Sequence, residues 1–459
     1  IMSSDWSSDV CSSDLEFSLT SKRSKDQALG LFLRHHSSAG KVALADQNRV
    51  FAGYAKNHVR AFGKKFFENA VLDGDLALKT NTRYFYGHDT GVDTTLNKKD
   101  IKQRFIRFEA GTGFKSTYID SAHLNYDFGL NYHHMRDRFE SIENQVGFTG
   151  NLDKYYDQNN VGLDMGVTWL NREFPLDTTA NFLFHVKPWI ARFGDGWRVQ
   201  GGVNFYSDVV NGNANARFYP VASLEYDIYS QYFIPYAGID GKVALNSYDR
   251  ITQDNPFVVP GLSVRNTNYK MIFYAGIKGN LSSSVYYNTR VKYSFFDDLY
   301  FFINDVVATD SAANQFNVAY HDGELMNLYG ELAIDFSDEL RMSIEGNYYE
   351  YILYDEDAMP WHKPSYDISV SARYDLRDKI IIEGDLFVSG ERWAKSGLRF
   401  GDEIKLDGYV DMNLGLEYRY SKVLSGFLHV RNILSNNYSI WNNYPVYGLH
   451  AYLGITYAF

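Results

Sequence analysis

The feature that most constrains this chain is an alternation of apolar and polar residues over long stretches. From Ser365 to Leu376 every second residue is apolar, and polar residues fill the positions between them. Similar alternation recurs at 326–348, 380–389 and 408–420. Successive side chains of a β-strand point to opposite faces, so these stretches predict strands with one apolar and one polar face.

The predicted strands are long, and their connections alternate between short and long. They run to about 11–14 residues, whereas soluble strands have a mode near 5–6. Short turns are expected near Glu68, Ile119, Lys154, Asp195, Gln231, Ser283, Asp338, Asp378 and Ser421. Longer loops are expected near 87–100, 208–214, 247–267, 297–324, 352–363, 392–407 and 434–446. This asymmetry is typical of a membrane barrel with short periplasmic turns and longer extracellular loops.

The sequence therefore predicts an all-β fold, a transmembrane antiparallel up-and-down β-barrel of about 20–22 strands. The complete strands begin near Ala28–His36, and Glu16–Thr20 is the remnant of one more. Aromatic residues lie near strand ends on the apolar face, as in the girdles that flank a bilayer core: Phe336, Tyr348, Tyr374 and Tyr418. A soluble β-sandwich with these aromatics in its core is the alternative.

The first fifteen residues differ from the rest of the chain. Asp5–Leu15 reads DWSSDVCSSDL, which matches one reading frame of a common short-read sequencing adapter. A disordered tail rich in serine and aspartate is the other interpretation. We expect residues 1–15 to be a non-native, disordered segment and 16–459 to form a single barrel domain with no plug domain in this chain. The true N-terminal region would then precede Glu16.

Composition and motifs exclude several classes of function. The formal net charge of −11 argues against nucleic acid as a partner. The only cysteine is Cys11, so the chain cannot form a disulfide framework. The sequence contains no run of about 18 apolar residues, so no membrane-spanning helix is predicted. The sequence has no Gly-x-Ser-x-Gly elbow, P-loop or His-Glu-x-x-His motif, so we expect neither an enzyme nor a cofactor.

Polar residues on the opposite face of the predicted strands would line the barrel lumen. The candidates are Glu331, Asp335, Arg341, Glu345, Asp367, Arg373, Asp375, Asp411, Asn413, Glu417 and Arg419. They carry both signs, which predicts no strong ion selectivity. Polar lumen walls are ordinary in such barrels, so a specific substrate path along these residues is the less favoured interpretation.

Two histidine doublets, His35-His36 and His133-His134, could suggest a metal site. Adjacent residues of a strand point to opposite faces, so neither doublet can chelate through both rings. Rim histidines without a special role are the favoured interpretation, and no metal ligand is predicted.

Acidic and aromatic residues in the predicted loops leave two alternatives open. Asp297-Asp298 and Asp355–Asp357 could bind Ca²⁺ but lack the ligand spacing of a recognised loop, which favours solvated acidic loops. Trp361, Trp441 and Tyr444 could stack on a sugar or another flat ligand. Aromatic residues at the membrane interface are the favoured interpretation.

The C-terminal end carries a family resemblance. The last strand, Tyr447–Phe459, has apolar residues at every second position back from a terminal Phe. It resembles the signal by which outer-membrane barrels engage the barrel-assembly machinery, with Tyr457 and Phe459 as its key positions. Val430–Tyr438, followed by Tyr444-Pro445, is similar to the segment before the closing strand of TonB-dependent receptors.

Two further segments, Arg34–Ser38 and Lys363–Tyr366, are similar to segments of shorter Bacteroidota proteins assigned to the same receptors. The resemblance implies an integral protein of the bacterial outer membrane, N-terminally truncated here. Its partners would be outer-membrane lipid, the barrel-assembly machinery, an unknown small-molecule ligand and TonB, the last through a missing N-terminal region. Such receptors need an N-terminal plug and a TonB-contacting segment, and neither is recognisable in this sequence.

Two functions follow as expectations. The first is an outer-membrane transport barrel of the TonB-dependent receptor type, which takes up an unidentified nutrient. The second is a plugless barrel that acts as a passive channel or as a structural partner in an outer-membrane complex. A plug-sized domain encoded upstream would favour the first function, and a short extension would favour the second.

Overall fold

The structure is a computed structural model that describes residues 2–5, 12–21, 24–88, 90, 97–118, 122–174, 177–305, 315–395 and 403–458. Its main element is one antiparallel sheet of 22 strands, in which successive long strands pair with each other. The first strand pairs with both the second and the last, so the sheet closes into a barrel. The predicted fold class is confirmed.

The strands and the one helix of the described residues follow the chain in this order: β1 Met2–Asp5, β2 Ser12–Ser21, β3 Gln27–Ser38, β4 Lys41–Ala43, β5 Arg49–Phe51, β6 Tyr54–Phe66, β7 Ala70–Tyr84, β8 Lys102–Ser116, β9 Asn125–Arg136, β10 Ile142–Tyr156, β11 Asn159–Phe174, β12 Asp177–Gly194, β13 Trp197–Val210, β14 Asn213–Tyr226, β15 Ile234–Ala244, α1 Tyr248–Asp254, β16 Thr267–Ser282, β17 Val285–Asn304, β18 Phe316–Asp335, β19 Leu340–Leu353, β20 Tyr366–Leu376, β21 Ile380–Ser389, β22 Arg392–Lys395, β23 Glu403–Leu406, β24 Tyr409–Arg419, β25 Leu424–Arg431, β26 Ser439–Trp441, β27 Tyr444–Pro445 and β28 His450–Tyr457. Three short hairpins, β4–β5, β22–β23 and β26–β27, lie outside the barrel sheet. Among the described residues, no helix is long and apolar enough to cross a membrane.

The predicted remnant at Glu16–Thr20 lies in β2, which pairs with β3 along its whole length. The expected disorder of residues 1–15 is wrong for residues 2–5 and 12–15, which are β-strand. The ladder is made by backbone groups, so it can form whatever side chains the residues carry. β1 lies between β2 and β28, which would otherwise be unpaired edges of the sheet. The foreign origin of Asp5–Leu15 stays a prediction, and Cys11 lies outside the described residues.

Most predicted connections occur where expected, but three differ. Lys154 lies within β10, and the turn is at Asp157-Gln158. The loop expected at 208–214 is the two-residue turn Asn211-Gly212, whose φ values of 49° and 84° are those an Asn-Gly hairpin turn adopts. At 297–324 the strands extend to Asn304 and resume at Phe316, so most of this loop is barrel wall. Ile119 lies outside the described residues.

The outer face of the barrel is apolar. Phe336, Tyr348 and Tyr418 are 62%, 43% and 49% exposed, and Tyr374 is partly exposed. The register places Tyr374 opposite Leu340 and Ile382, and Tyr418 opposite Ile380. The predicted girdle residues therefore share a face with aliphatic side chains, and their position relative to a membrane stays a prediction.

Candidate functional site

The connection between β15 and β16, residues 245–266, folds into the barrel, and we call it the inner segment. It begins with α1, whose N-cap Ser247 accepts a hydrogen bond from the backbone N–H of Arg250 at 3.1 Å. Tyr248 and Ile251 are fully buried. They pack with Phe85, Phe105 and Met135 near β7–β9 and belong to the same apolar cluster as Phe302, Phe316 and Tyr444. Because β8 and β17 lie on distant parts of the ring, the inner segment crosses the lumen.

Buried charges fix α1 to the wall formed by β8–β10. Arg107 forms an ion pair with Asp249 and donates a hydrogen bond to Thr252 Oγ1 at 2.9 Å. Glu143 accepts the backbone N–H groups of Tyr248 and Asp249 at 2.8 and 3.2 Å. A carboxylate at this end of a helix also interacts favourably with the helix dipole. The side chains of Arg107 and Asp249 are 6% and 8% exposed, so water screens this pair weakly.

The environment of α1 keeps Asp249 charged. Burial raises the pKa of its carboxyl, but His133 and Arg107 outweigh burial, so the net pKa is lowered. His133 Nε2 lies 3.2 Å from Asp249 Oδ2. The Tyr248 hydroxyl donates a hydrogen bond to Asp137 Oδ2 at 2.9 Å, and burial raises the pKa of both of these groups. Asp249 therefore pairs with Arg107 as an ionised carboxylate, and Tyr248 bonds to Asp137 as a neutral phenol.

The far end of the inner segment is joined to the opposite wall. Phe257 and Val259 form backbone hydrogen bonds with Phe316 at 3.0 and 2.8 Å, and the Phe257 ring stacks on Tyr444 at 3.9 Å. The Tyr300 hydroxyl donates to Asp254 at the end of α1. The inner segment is thus attached at both ends and narrows the lumen near the rim that carries the long loops.

A buried histidine joins the loops on this side. His362 Nδ1 lies 2.9 Å from the Phe302 carbonyl, and its Nε2 lies 3.2 Å from the backbone N of Asn442. Only a neutral ring with its proton on Nδ1 donates to the carbonyl and accepts from the N–H. Burial lowers the pKa of His362 to about 4, which agrees with this geometry.

One side of the inner face is rich in cations, and we call it the basic wall. It consists of Arg34 and His36 on β3, Lys56 and His58 on β6, Lys79 and Arg83 on β7, and Arg107 on β8. Most of them line a cavity of about 600 Å³ that reaches Gln253 of α1. Glu109 neutralises Lys79 at 2.7 Å. The acid nearest Arg34 and His36 is Asp14, at 3.5 and 3.6 Å, and it belongs to the segment predicted to be foreign.

Several polar atoms of the basic wall have no hydrogen-bond partner among the described residues although they are buried. On the wall itself they are Arg83 Nε and His58 Nε2, and beside these lies Asn81 Oδ1. Buried polar atoms are nearly always paired in folded proteins, so an unpaired group of this size needs an explanation. A polar occupant of the lumen that is not part of these residues would supply the partners.

The predicted lumen residues lie on the opposite side of the ring. The register aligns Glu331 with Glu345, Asp335 with Arg341 and Arg373, and Asn413 with Asp385. The register connects this face of β24 to the basic wall through β25, β28, β1 and β2. All eleven candidates therefore share the inner face. The residues on this face are Glu331, Asp335, Arg341, Glu345, Asp367, Arg373, Asp375, Asp411, Asn413, Glu417 and Arg419.

This side is predominantly acidic, and we call it the acidic wall. It comprises the acidic candidates together with Glu383 and Asp385 on β21. Its arginines pair locally: Arg341 with Asp335 at 3.6 Å, Arg419 with Glu417 at 3.3 Å, and Arg373 with Glu383. Near the long-loop rim the pattern changes, because Asp411 accepts from the Tyr438 hydroxyl at 2.6 Å and Asn413 accepts from Asn432 at 3.2 Å. Charge is thus segregated between two walls, which the expectation of mixed signs did not anticipate.

The sequence interpretation missed the residues that hold the inner segment. The two residues of the His133-His134 doublet do point to opposite faces: His133 faces Asp249, whereas His134 Nδ1 lies 2.9 Å from Asn144. His133 is therefore not a rim residue without a role. The basic wall had a signal, because basic residues occupy every second position in 34–36 and 56–60, and Lys79 and Arg83 lie on one face of the next strand. No local pattern marks the pairing of Arg107 with Asp249, which are 142 positions apart.

The Asp297-Asp298 pair and two of the three aromatic candidates are occupied within the fold. Asp297 and Asp298 lie in β17 rather than in a loop, and they pair with Lys270 at 2.7 Å and Arg265 at 3.2 Å. Trp361 and Tyr444 are 3% and 2% exposed, so neither can stack on a solute or face a membrane interface. In the part of the chain that the structure describes, no group of three or more metal-ligating side chains is present.

The end of the chain forms part of the barrel wall. Tyr457 is 65% exposed on the outer face and pairs with Leu424 of β25. Phe459 lies outside the described residues. The role of both residues in recognition by the assembly machinery stays a prediction.

Comparisons with known proteins identify the fold. No family model matches the chain, and no curated protein matches it. The whole chain superimposes on the ferric enterobactin receptor PfeA from Pseudomonas aeruginosa (TM-score 0.71, 13% identity) and covers 80% of it. It is also similar to the siderophore receptor PirA from Acinetobacter baumannii (0.74, 12%) and the FrpB iron transporter from Neisseria meningitidis (0.75, 10%), of which it covers 79% and 81%. The chain thus has the barrel fold of these two receptors and this transporter.

Proposed function

We propose that this chain is the barrel of an outer-membrane transporter of the TonB-dependent receptor type. The observation that carries the proposal is a closed 22-strand barrel whose charged inner face is crossed by a segment attached at both ends. A wall built only for rigidity does not need charges facing inward, whereas a solute path does. The apolar outer face fits lipid, the C-terminal strand would engage the assembly machinery, and catalysis is not part of the role.

The proposal assigns the solute a negative charge. The basic wall lines the cavity beside α1, and several of its polar atoms have no partner among the described residues. A cleft lined by one sign of charge concentrates ions of the opposite sign. The three compared proteins are named as siderophore receptors or an iron transporter, so ferric siderophores belong among the anions to be tested.

The proposal also includes a region upstream of Glu16. About a fifth of each compared protein has no counterpart here, since the chain covers 79–81% of them. We propose that this region supplies the plug and the contact with TonB. Its polar surface would provide partners for the unpaired atoms of the basic wall.

A transport assay with the gene extended upstream tests the proposal. Uptake of a labelled panel, comprising ferric siderophores, phosphate and small carboxylates, is measured in host strains with and without TonB. We expect uptake of an anion that disappears without TonB. If uptake of every anion is the same in both strains, the energised mechanism is wrong.

A passive channel is the second candidate. It is favoured by the exposure of the acidic wall to the lumen, where the side chains of Asp335 and Arg341 are 67% and 72% exposed. Planar-bilayer recordings of the upstream-extended protein distinguish the two. Steady conductance together with TonB-independent uptake supports the channel, and a closed barrel supports the receptor.

A further inference from the structure

The barrel wall is incompletely paired between β14 and β15. These strands pair through only four residues each, Ala222–Glu225 with Tyr236–Ile239. The neighbouring pairs are longer: β13–β14 has fourteen residue pairs and β15–β16 has ten. The halves of β14 and β15 nearer the long-loop rim, residues 213–221 and 240–244, form no ladder with each other. We call this gap the split.

The sequence explains why pairing stops there. If the register continued past Ala222, Pro220 would face Gly241. Proline has no N–H to donate to a ladder, which is why it is tolerated mainly at strand edges. On the other strand, the register of β15 with β16 shifts between Asp240 and Lys242. The Tyr219 ring also occupies the space beside Gly241, where a Cβ would meet it at 2.5 Å.

Side chains close the split on the inner face. Asn204 Nδ2 of β13 donates to the Gly241 carbonyl at 3.0 Å, and the Tyr219 hydroxyl donates to Asn268 Oδ1 of β16 at 2.6 Å. Val243 packs with Tyr219 in a small buried cluster on the same side. On the inner face these side chains therefore connect the strands where backbone pairing is missing, and residues 213–221 of β14 form no ladder with β15.

An apolar groove lies on the outer face directly beside the split. It has a volume of about 540 Å³, and small side chains form its floor where the last paired residues lie. Its outward-facing lining is apolar apart from the Tyr293 hydroxyl and comprises Val199, Ala222, Leu224, Ala237, Ile239, Phe273, Ala275, Val291 and Tyr293. Above it, Phe218 is 70% exposed on the unpaired part of β14. The site thus has an apolar floor and, adjoining it, a row of backbone polar groups without strand partners.

We propose that the groove and the split together bind one amphiphilic lipid of the outer leaflet. Its hydrocarbon chain would lie in the groove, and its polar head would meet the open backbone edge of β14. Unpaired backbone groups facing hydrocarbon are strongly unfavourable, so a polar head or water must cover them. A protein strand is the poorer occupant, because Pro220 lies on the edge to be paired and proline at an edge opposes strand addition.

This inference rests on the proposed outer-membrane location but not on TonB or on the solute. The probe is dimyristoyl phosphatidylglycerol added to the detergent-solubilised, upstream-extended protein, with bound lipid counted by native mass spectrometry. The variant Ala222→Phe/Ala237→Phe fills the groove. Ala61→Phe on β6 is the matched control, because Ala61 is also exposed and lies on the same outer face.

We expect one lipid retained by the parent and by A61F, and at least tenfold weaker retention by the double variant. Equal retention by all three proteins, or none by the parent, would overturn the inference. Heat-dependent gel mobility of each variant verifies that the barrel is folded. Membrane fractionation is read separately: a parent that does not reach the outer membrane contradicts the proposed location, whereas a correctly located parent without retained lipid contradicts only the lipid site.

Discussion

The two walls of the lumen arise from the same alternation but carry their charges differently. On the basic wall, Arg107 is buried against the inner segment and pairs with a carboxylate from a distant part of the chain. On the acidic wall, Arg373 pairs with Glu383 of the next strand, and both side chains remain 46% and 44% exposed. The comparison teaches that strand register decides which face a charge occupies, whereas tertiary contact decides how much that charge contributes.

The largest effect is expected from removing the buried charge. Arg107→Ala leaves the buried Asp249 carboxylate with His133 as its remaining charged partner. Breaking a buried pair costs about 3–5 kcal/mol when the remaining charge has no partner, so we expect a loss of about 3 kcal/mol. We expect the unfolding free energy in detergent to fall by about this amount, or the inner segment to detach and conductance to appear in planar bilayers. The matched control is Arg373→Ala on the acidic wall. Equal effects of the two variants would remove the distinction between the walls.

The next effect is a loss of folding stability at low pH, which we attribute to His362 in the loops near the acidic wall. His362 is neutral in the fold, with its pKa lowered to about 4 from the usual 6.5. Between these values the unfolded chain binds more protons than the folded one, so stability falls as the pH drops below 6.5. At pH 5 the loss is about 2 kcal/mol.

Urea unfolding in detergent between pH 7 and pH 4 measures this loss. His362→Gln keeps a donor and an acceptor but does not titrate, so its stability should change less over the same range. A parallel pH profile for the variant and the parent would show that His362 is not the group responsible. Arg107→Ala, by contrast, should lower stability at neutral pH as well, because its effect does not depend on the charge of His362.

A smaller effect is expected on ion selectivity. Lys56→Glu reverses one charge of the basic wall without disturbing the pairs that hold α1. In a barrel opened by Arg107→Ala, we expect the anion-to-cation permeability ratio to fall by a factor on the order of 10 at low salt. The effect should shrink toward 1 M salt, where the Debye length is about 3 Å. Reversal potentials in a KCl gradient measure it, and Arg341→Glu on the acidic wall is the control.

The comparison also shows what the sequence could predict. Alternation at 326–348, 365–376 and 408–420 predicts that the acidic candidates of each strand lie on one face, because a strand has only two faces. Asn211-Gly212 was predictable as a hairpin turn, and the longer-loop expectation overlooked that signal. The inner segment was not predictable, because Arg107 and Asp249 meet only after eight strands have been arranged around the ring. Pro220 ends a ladder whose partner strand no local pattern identifies.

The smallest effect is expected from the exposed pair on the acidic wall. Arg373→Ala removes an ion pair that water screens, and such pairs contribute about 0–1 kcal/mol. Glu383→Ala and the double variant complete a mutant cycle, which isolates the pair from each residue's other contacts. A coupling energy well above about 1 kcal/mol in urea unfolding would mean that the acidic wall is also held by tertiary contacts. Its charges would then resemble those around Arg107, and the two walls would differ in sign alone.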